Sequence, residues 1–209
     1  MRTLIIACIS FALIGAESEA DAIKRLAGGK PLPAGTHAVT IPDSPKQSIS
    51  FLSDAEERMV GTVAMSGKAT LGEATIDADA GTGTGSITIP AASLSTGVAM
   101  RDEHMRSDGW MDTAKFPTIA FTDVKLKRVA DTVWKVDGTW TMHGVSRPLS
   151  TYANIRLVPE IPHFGKDVVR ISASFPLDLK EYGLTNPGIG TATVAQVWTV
   201  DLSLLALKK

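Results

Sequence analysis

The segment VVRISASFPL, residues 168–177, alternates apolar and polar side chains with a period of two. Val169, Ile171 and Phe175 fall on one face, whereas Arg170 and the serines that follow it fall on the other. Successive side chains of a β-strand point to opposite faces, so this pattern predicts a strand with one dry and one wet face. The segment therefore indicates a sheet that covers an apolar interior with one of its faces.

The same alternation recurs from Thr36 to the last residues of the chain. In VWTVDLSLLAL, residues 197–207, the even positions from 198 to 204 are bulky and apolar, and the odd positions include Thr, Asp and Ser. Gly, Pro, Asn or Asp clusters separate most of the strand-like segments, and no long helical pattern appears between them. The sequence thus predicts an all-β domain over residues 36–209, with about eight antiparallel strands in a sandwich or barrel.

The interior of such a barrel has two possible contents. About eight strands enclose a space that side chains fill completely or that holds one small ligand. The period-two pattern is the same in both cases, so it leaves a filled core and a ligand cavity as open alternatives.

The composition excludes some classes of partner. The chain has 21 Lys and Arg against 22 Asp and Glu, a formal net charge of −1. Nucleic-acid-binding surfaces carry a clustered basic excess, so no nucleic-acid partner is predicted.

The 209 residues of the chain suffice for one substantial domain. The single cysteine, Cys8, lies in the N-terminal apolar segment, and removal of that segment would leave no disulfide and no thiol nucleophile.

Residues 1–20, MRTLIIACISFALIGAESEA, have the layout of a secretory signal peptide. A basic start precedes about eleven apolar residues, too few to span a bilayer, and a small-x-small pattern at Ser18 and Ala20 follows. We expect cleavage between Ala16 and Ala20, and a periplasmic or secreted protein. Residues 21–35 are interpreted as a linker or N-terminal extension.

A dense charged cluster, RDEHMRSDGW at residues 101–110, interrupts the strand pattern. Ser95 and Thr96 are favourable helix N-caps, and Gly109 is a favourable helix end. These signals predict a short helix over about residues 97–108, at one end of the barrel.

The histidine of this cluster supports a second hypothesis. A hydrolase would use His104 as a general base oriented by Asp102 or Glu103. The sequence contains no G-x-S-x-G elbow and no H-E-x-x-H motif, and the histidines are widely scattered. No metal, cofactor or catalytic residue is therefore predicted.

Two ordered motifs resemble the YceI-like family of secreted bacterial proteins. The family shows R-D-x-H-L-R-S, an aromatic, D, then K-[FY]-P-x-[IA]-x-F, and residues 101–126 read RDEHMRSDGWMDTAKFPTIAFTDVKL. A later G-x-L-T-[IL]-H-G-V-[TS]-[KR]-P motif resembles GTWTMHGVSRP at residues 138–148. Residues 179–206 are similar to the closing region of the family. Met105 stands where leucine is usual, and Trp140 replaces a smaller aliphatic residue.

The resemblance implies an exported, lipocalin-like antiparallel β-barrel that is not an enzyme. It implies binding of a long apolar molecule, such as a polyisoprenoid, an isoprenoid quinone or a fatty acyl derivative, for carriage or storage in the periplasm. The charged helix would close or flank one end of the barrel. Arg101, His104 and His143 are the candidates for contact with the ligand head group.

The candidate pocket wall consists of bulky apolar residues assigned to the dry faces of the strands. The large Trp140 among them is expected to shorten or reshape a cavity. The wall candidates are Phe51, Phe121, Trp140, Met142, Ile171, Phe175, Trp198, Val200 and Leu202.

Several alternatives stay open at this point. One is the hydrolase that uses His104 with Asp102 or Glu103. Another is a structural envelope stress protein whose barrel is filled by its own side chains. Transient membrane contact and a homodimer are further expectations for a lipid carrier that the sequence does not decide.

Overall fold

The structure, a computed structural model, describes residues 17–56, 58–63 and 70–209. Within these ranges the chain forms two α-helices, α1 (Glu19–Leu26) and α2 (Ala99–Arg106). Short 3₁₀ turns occur at Ala91–Ser93 and Leu179–Tyr182. The strands are β1 (Thr36–Pro42), β2 (Ser48–Ser53), β3 (Met59–Val63), β4 (Thr70–Asp77), β5 (Thr82–Pro90), β6 (Leu94–Ser95), β7 (Thr118–Arg128), β8 (Val133–Met142), β9 (Val145–Ile161), β10 (Gly165–Asp178) and β11 (Val197–Lys208).

Eight of these strands close into an antiparallel barrel. The order is β1-β4-β5-β7-β8-β9-β10-β11, and β11 returns to β1 by pairing Leu207 with Thr40. Closure leaves no free edge along this circuit, which removes the unpaired backbone groups that an open sheet would expose. The predicted all-β antiparallel barrel of about eight strands is confirmed.

The strand β11 is shared among three neighbours. It pairs with β10 from Val197 to Ala206, with β2 from Trp198 to Ser203, and with β1 only at its last residues. The strands β3 and β6 continue outward from β2. A short additional ladder therefore extends around one end of the barrel.

A buried glutamine satisfies the backbone where β1 and β2 separate along β11. The Gln47 amide nitrogen donates to the carbonyls of Pro42 and Leu205, both at 2.8 Å. Its amide oxygen accepts from the Leu205 backbone N–H at 2.7 Å. A buried backbone group without a hydrogen-bond partner lowers the free energy of unfolding. The Gln47 side chain therefore stabilises the point where the two strands diverge.

The dry faces predicted from the alternation line the barrel interior. In β11, Trp198, Val200, Leu202 and Leu204 are each at most 9% exposed, and they belong to one continuous apolar core. In β10, Phe175 belongs to the same core. The predicted period of two thus corresponds to the inward and outward faces of a closed sheet.

The segment interpreted as a linker or N-terminal extension, residues 21–35, packs against the barrel. The helix α1 begins beyond an N-cap at Ser18, carries acids in its first turn and bases in its last, and buries Ala22 completely. The Asn154 side chain of β9 donates to the carbonyls of Leu26 and Gly28. Lys30 forms a β-bridge with Leu157. Residues 1–16 of the predicted signal peptide lie outside the described residues.

We predict that Gln47→Leu lowers the free energy of unfolding by about 3 kcal/mol, because three backbone groups lose their partner in a buried setting. Urea unfolding monitored by tryptophan fluorescence measures the change. The neighbouring exposed Lys46 provides the control, and Lys46→Ala is expected to stay within about 0.5 kcal/mol of the parent. A Gln47→Leu variant as stable as the parent would contradict this account of the divergence.

Candidate functional site

A cavity of about 230 Å³ lies at the end of the barrel that carries the additional ladder. Its walls come from β2, β3, β6, β11 and α2, and most of their contributing surface is apolar. The apolar lining includes Phe51, Met59, Leu94, Met105, Trp110 and Trp198.

The helix α2 forms one side of this cavity along a single stripe. Arg101, His104 and Met105 all line it, and residues three and four positions apart share one face of a helix. The preceding residue, Met100, is 68% exposed on another side of the helix. The predicted helix over 97–108 is thus present as Ala99–Arg106.

A buried carboxylate anchors α2 to the strand before it. Asp102 accepts hydrogen bonds from the Ser95 hydroxyl at 2.6 Å and from the backbone N–H and hydroxyl of Thr96, both at 2.7 Å. Arg106 adds a bond from its guanidinium to the Leu94 carbonyl. The actual N-cap is Val98, without a side-chain bond, so Ser95 and Thr96 serve Asp102 and do not cap the helix.

These bonds also set the charge of the carboxylate. The Ser95 hydroxyl, followed by the amide and hydroxyl of Thr96, lowers the pKa of Asp102 from 3.8 to about 2. Hydrogen bonds that favour the ionised form have this effect on a carboxyl group. Asp102 is therefore a structural anion at neutral pH.

Arg101 and His104 supply the positive and polar part of the cavity rim. Both side chains are exposed at the edge of the cavity. Among the described residues, neither side chain forms a hydrogen bond or an ion pair. The Arg101 guanidinium is therefore available to a group that enters the cavity, and Ser53 and Thr96 add hydroxyl groups to the lining.

The geometry does not assemble the hydrolase alternative. The Asp102 carboxylate is committed to Ser95 and Thr96. Positions 102 and 104 are two apart on a helix, so their side chains do not face each other. No described side chain forms a hydrogen bond with the His104 ring, and Glu103 is exposed.

Of the nine predicted wall residues, two line the cavity and seven do not. Phe51 and Trp198 line the cavity, with their rings 6.5 Å apart in an edge-on arrangement. Ile171 is only partly buried. The others are buried in the core and do not line the cavity: Phe121, Trp140, Met142, Phe175, Val200 and Leu202.

Aromatic rings fill the barrel beneath the cavity. The fully buried Trp140 ring lies 5.2 Å from that of Phe175 and 5.8 Å from that of Phe121. Gly138 lies under Phe121, and a Cβ there would come within 2.8 Å of the ring. The interior therefore combines a cavity at one end with a packed core beyond it.

His143 has a structural position away from the cavity lining. With Gly144 it forms the two-residue connection between β8 and β9, and both have positive φ, 51° and 72°. Such turns match the twist of an antiparallel hairpin. The His143 ring packs on Phe116 at 4.5 Å and its Nδ1 lies 3.2 Å from the Tyr182 carbonyl oxygen.

Sequence reasoning missed several residues that line the cavity, namely Met59, Leu94, Met105, Trp110 and Val194. Met105 was detectable from its helical spacing to Arg101. The other four lie on short strands or loops, where no periodic pattern assigns a direction.

Within residues 17–56, 58–63 and 70–209, no three potential metal ligands cluster together. Over the same ranges, neither helix has the length and hydropathy needed to cross a membrane.

A closed eight-stranded antiparallel barrel with an apolar cavity beside a helix at one end is a lipocalin-like architecture. The family model described as the YceI-like domain matches residues 43–206. The chain belongs to the YceI-like family.

Similarity to curated proteins is moderate. A UPF0312 protein of Pseudomonas putida is 29% identical over 124 residues, which cover 59% of this chain and 62% of the relative. A UPF0312 protein of Pseudomonas fluorescens is 28% identical over 123 residues, with the same shares of the two chains. The chain thus spans about three fifths of the length of the curated relatives it matches.

Three solved structures share the fold. BcnA of Burkholderia cenocepacia has a TM-score of 0.66 at 15% identity, covering 79% of this chain and 99% of its own. A Saccharophagus degradans polyisoprenoid binding domain has a TM-score of 0.58 at 17% identity, covering 83% and 99%. The Campylobacter jejuni YCEI protein has a TM-score of 0.59 at 21% identity, covering 71% and 85%.

We predict that the anchor of α2 weakens in acid. The pKa of Asp102 is depressed in the folded state, so its contribution is complete above about pH 4 and is lost as the pH falls toward 2. The shift corresponds to about 2 kcal/mol. Urea unfolding of the parent and Asp102→Asn at pH 6 and pH 2.5 measures this. We expect the variant to be less stable at pH 6 and the difference to shrink at pH 2.5; an equal difference at both would refute the assignment.

Proposed function

We propose that this protein binds the apolar chain of an amphiphilic lipid in the cavity beside α2. The observation that carries the proposal is an apolar cavity with the guanidinium of Arg101 at its rim, and that guanidinium has no hydrogen-bond or ion-pair partner among the described residues. Each methylene that leaves water contributes about 0.8 kcal/mol, so an alkyl or prenyl chain provides the main favourable term. The shared fold of the Saccharophagus degradans polyisoprenoid binding domain supports a ligand of this class.

The head group is the part of the ligand that the rim would select. Arg101 offers several N–H donors, and the cavity beside it exposes hydroxyl groups of Ser53 and Thr96. These donors suit a head that accepts hydrogen bonds, such as a carboxylate, a phosphate or a quinone carbonyl. His104 orients the head in this proposal, and His143 supports the hairpin turn.

Export to the periplasm is the second part of the proposal. The contacts of Glu17 and Ser18 favour signal cleavage after Ala16. Glu17 pairs with Arg25 through two hydrogen bonds of 2.7 and 2.6 Å, and Ser18 caps α1. Cleavage after Ala16 keeps both features, whereas cleavage after Ala20 removes them.

We predict that the full chain, expressed in a bacterium with a periplasm, is recovered from the periplasmic fraction with Glu17 as its first residue. Native mass spectrometry of that fraction measures both the N-terminus and any bound lipid, which organic extraction then identifies. Recovery of unprocessed chain from the cytoplasm would refute the export proposal. A periplasmic species that stays ligand-free with added lipids would refute the binding proposal.

Ligand titrations should separate the cavity from the outer surface of the same strand. Trp198→Asp places an unpaired charge on the cavity lining, and we expect it to abolish binding of a fatty acid such as decanoate. The adjacent Val197 is 37% exposed, so Val197→Asp adds the same charge outside and should leave binding unchanged. Calorimetry measures both affinities, and circular dichroism checks the fold. Decanoate binding by a folded Trp198→Asp variant would contradict the assignment of the cavity.

The same decanoate titration tests the role of Arg101 at the rim of the cavity, with variants whose side chains lie outside the core. Arg101→Ala should weaken decanoate binding by about tenfold, because a charge-assisted hydrogen bond is lost. The exposed Lys127 on β7 is the matched control, and Lys127→Ala should bind like the parent. Equal affinities for these two variants would remove Arg101 from the proposed site.

A further inference from the structure

We infer that an aromatic floor limits the cavity to chains of about ten carbons, and that Trp140 is the residue that sets this length. The floor consists of Phe51, Phe175, Trp140 and Phe121. The inference rests on the proposed function, since it concerns the ligand of the same cavity.

The floor follows from strand register and ring contacts. Phe51 lines the cavity and pairs across β11 with Val200, which in turn pairs with Phe175 of β10. The Phe175 ring contacts that of Trp140 at 5.2 Å, and the Trp140 ring contacts that of Phe121 at 5.8 Å. Phe51 is the one ring of this series that lines the cavity, so the cavity ends where the series begins.

The cavity volume gives the length of chain that fits above the floor. An apolar cavity of about 150 Å³ accommodates benzene, which is about 25 Å³ for each of its six carbons. The cavity beside α2 has a volume of about 230 Å³. On this scale it holds about nine or ten carbons, equivalent to two prenyl units or a decanoyl chain.

Trp140 is the central element of the floor. It is the one member in contact with two other rings, and it is completely buried. Phe121 is held in place over Gly138, where no Cβ fits. Beyond the floor, β11 continues inward with the aliphatic residues Leu202 and Leu204. Replacement of the indole by a smaller side chain would therefore extend the cavity into surroundings that accept more of an apolar chain.

The chain offers a matched control on the same strand. Trp134 is 1% exposed and lies on the same inward face of β8, six residues before Trp140. At about 3.3 Å per residue it is about 20 Å away, toward the opposite end of the barrel. Trp134→Leu thus makes the same substitution in the same core without touching the floor.

The test is a calorimetric titration of the parent, Trp140→Leu and Trp134→Leu with saturated fatty acids of 8 to 16 carbons, kept below micelle formation. For the parent and Trp134→Leu, we expect affinity to rise about fourfold per methylene up to about ten carbons and then to level off. For Trp140→Leu, the rise should continue to about 12 carbons, so that the 12-carbon acid binds at least tenfold more tightly than to the parent. Phe175→Leu, which opens the same floor, replaces Trp140→Leu if that variant does not fold.

The outcomes separate this inference from the function on which it rests. A parent whose affinity rises steadily to 16 carbons would overturn the floor and leave lipid binding established. An unchanged length profile in a folded Trp140→Leu variant would overturn the role of Trp140. If no fatty acid binds the parent or any variant, the proposed function fails and the length limit fails with it.

Discussion

The architecture depends on the hydrogen bonds that the backbone makes where β1 and β2 diverge along β11. Both strands need the same partner strand, and only one of them can use each part of it. The amide of Gln47 bridges the gap with three hydrogen bonds to main-chain groups, including both polar groups of Leu205. Because this divergence is stable, β2, β3 and β6 can extend the wall at one end. That extension provides most of the strands that surround the cavity.

A ligand cavity and a filled core occupy different parts of the barrel interior. Near α2 the wall encloses open apolar space, and the Asp102 anchor holds the helix against that space. Further along the axis, aromatic and aliphatic side chains form one continuous buried core. A filled barrel and a ligand site therefore coexist in one molecule, and the boundary between them lies at Phe51 and Trp140.

The fold could be read from the sequence because alternation along a strand is a local property. The faces of β10 and β11 follow directly from residues such as Ile171 and Leu202, each of which has a polar residue on either side along the chain. The candidate site was predicted only in part, because a cavity depends on which strands meet. Arg101 and His104 line it, whereas Trp140 is packed in the core. The roles of Ser95 in binding Asp102 and of Asn154 in holding α1 depend on contacts between elements, which no periodicity encodes.

The sharing of β11 also has a consequence for the order of folding. This strand is the last of the described chain, and it supplies the partner for β10, β2 and β1 together. Before β11 pairs, each of those strands has one edge without hydrogen-bond partners. The pairing of Leu207 with Thr40 that closes the barrel joins residues that are separated by most of the chain. Such non-local pairing makes folding slow and leaves hydrophobic strand edges exposed until β11 has paired. A chain that lacks β11 would therefore be prone to aggregation, because β10, β2 and β1 would each keep an unpaired edge.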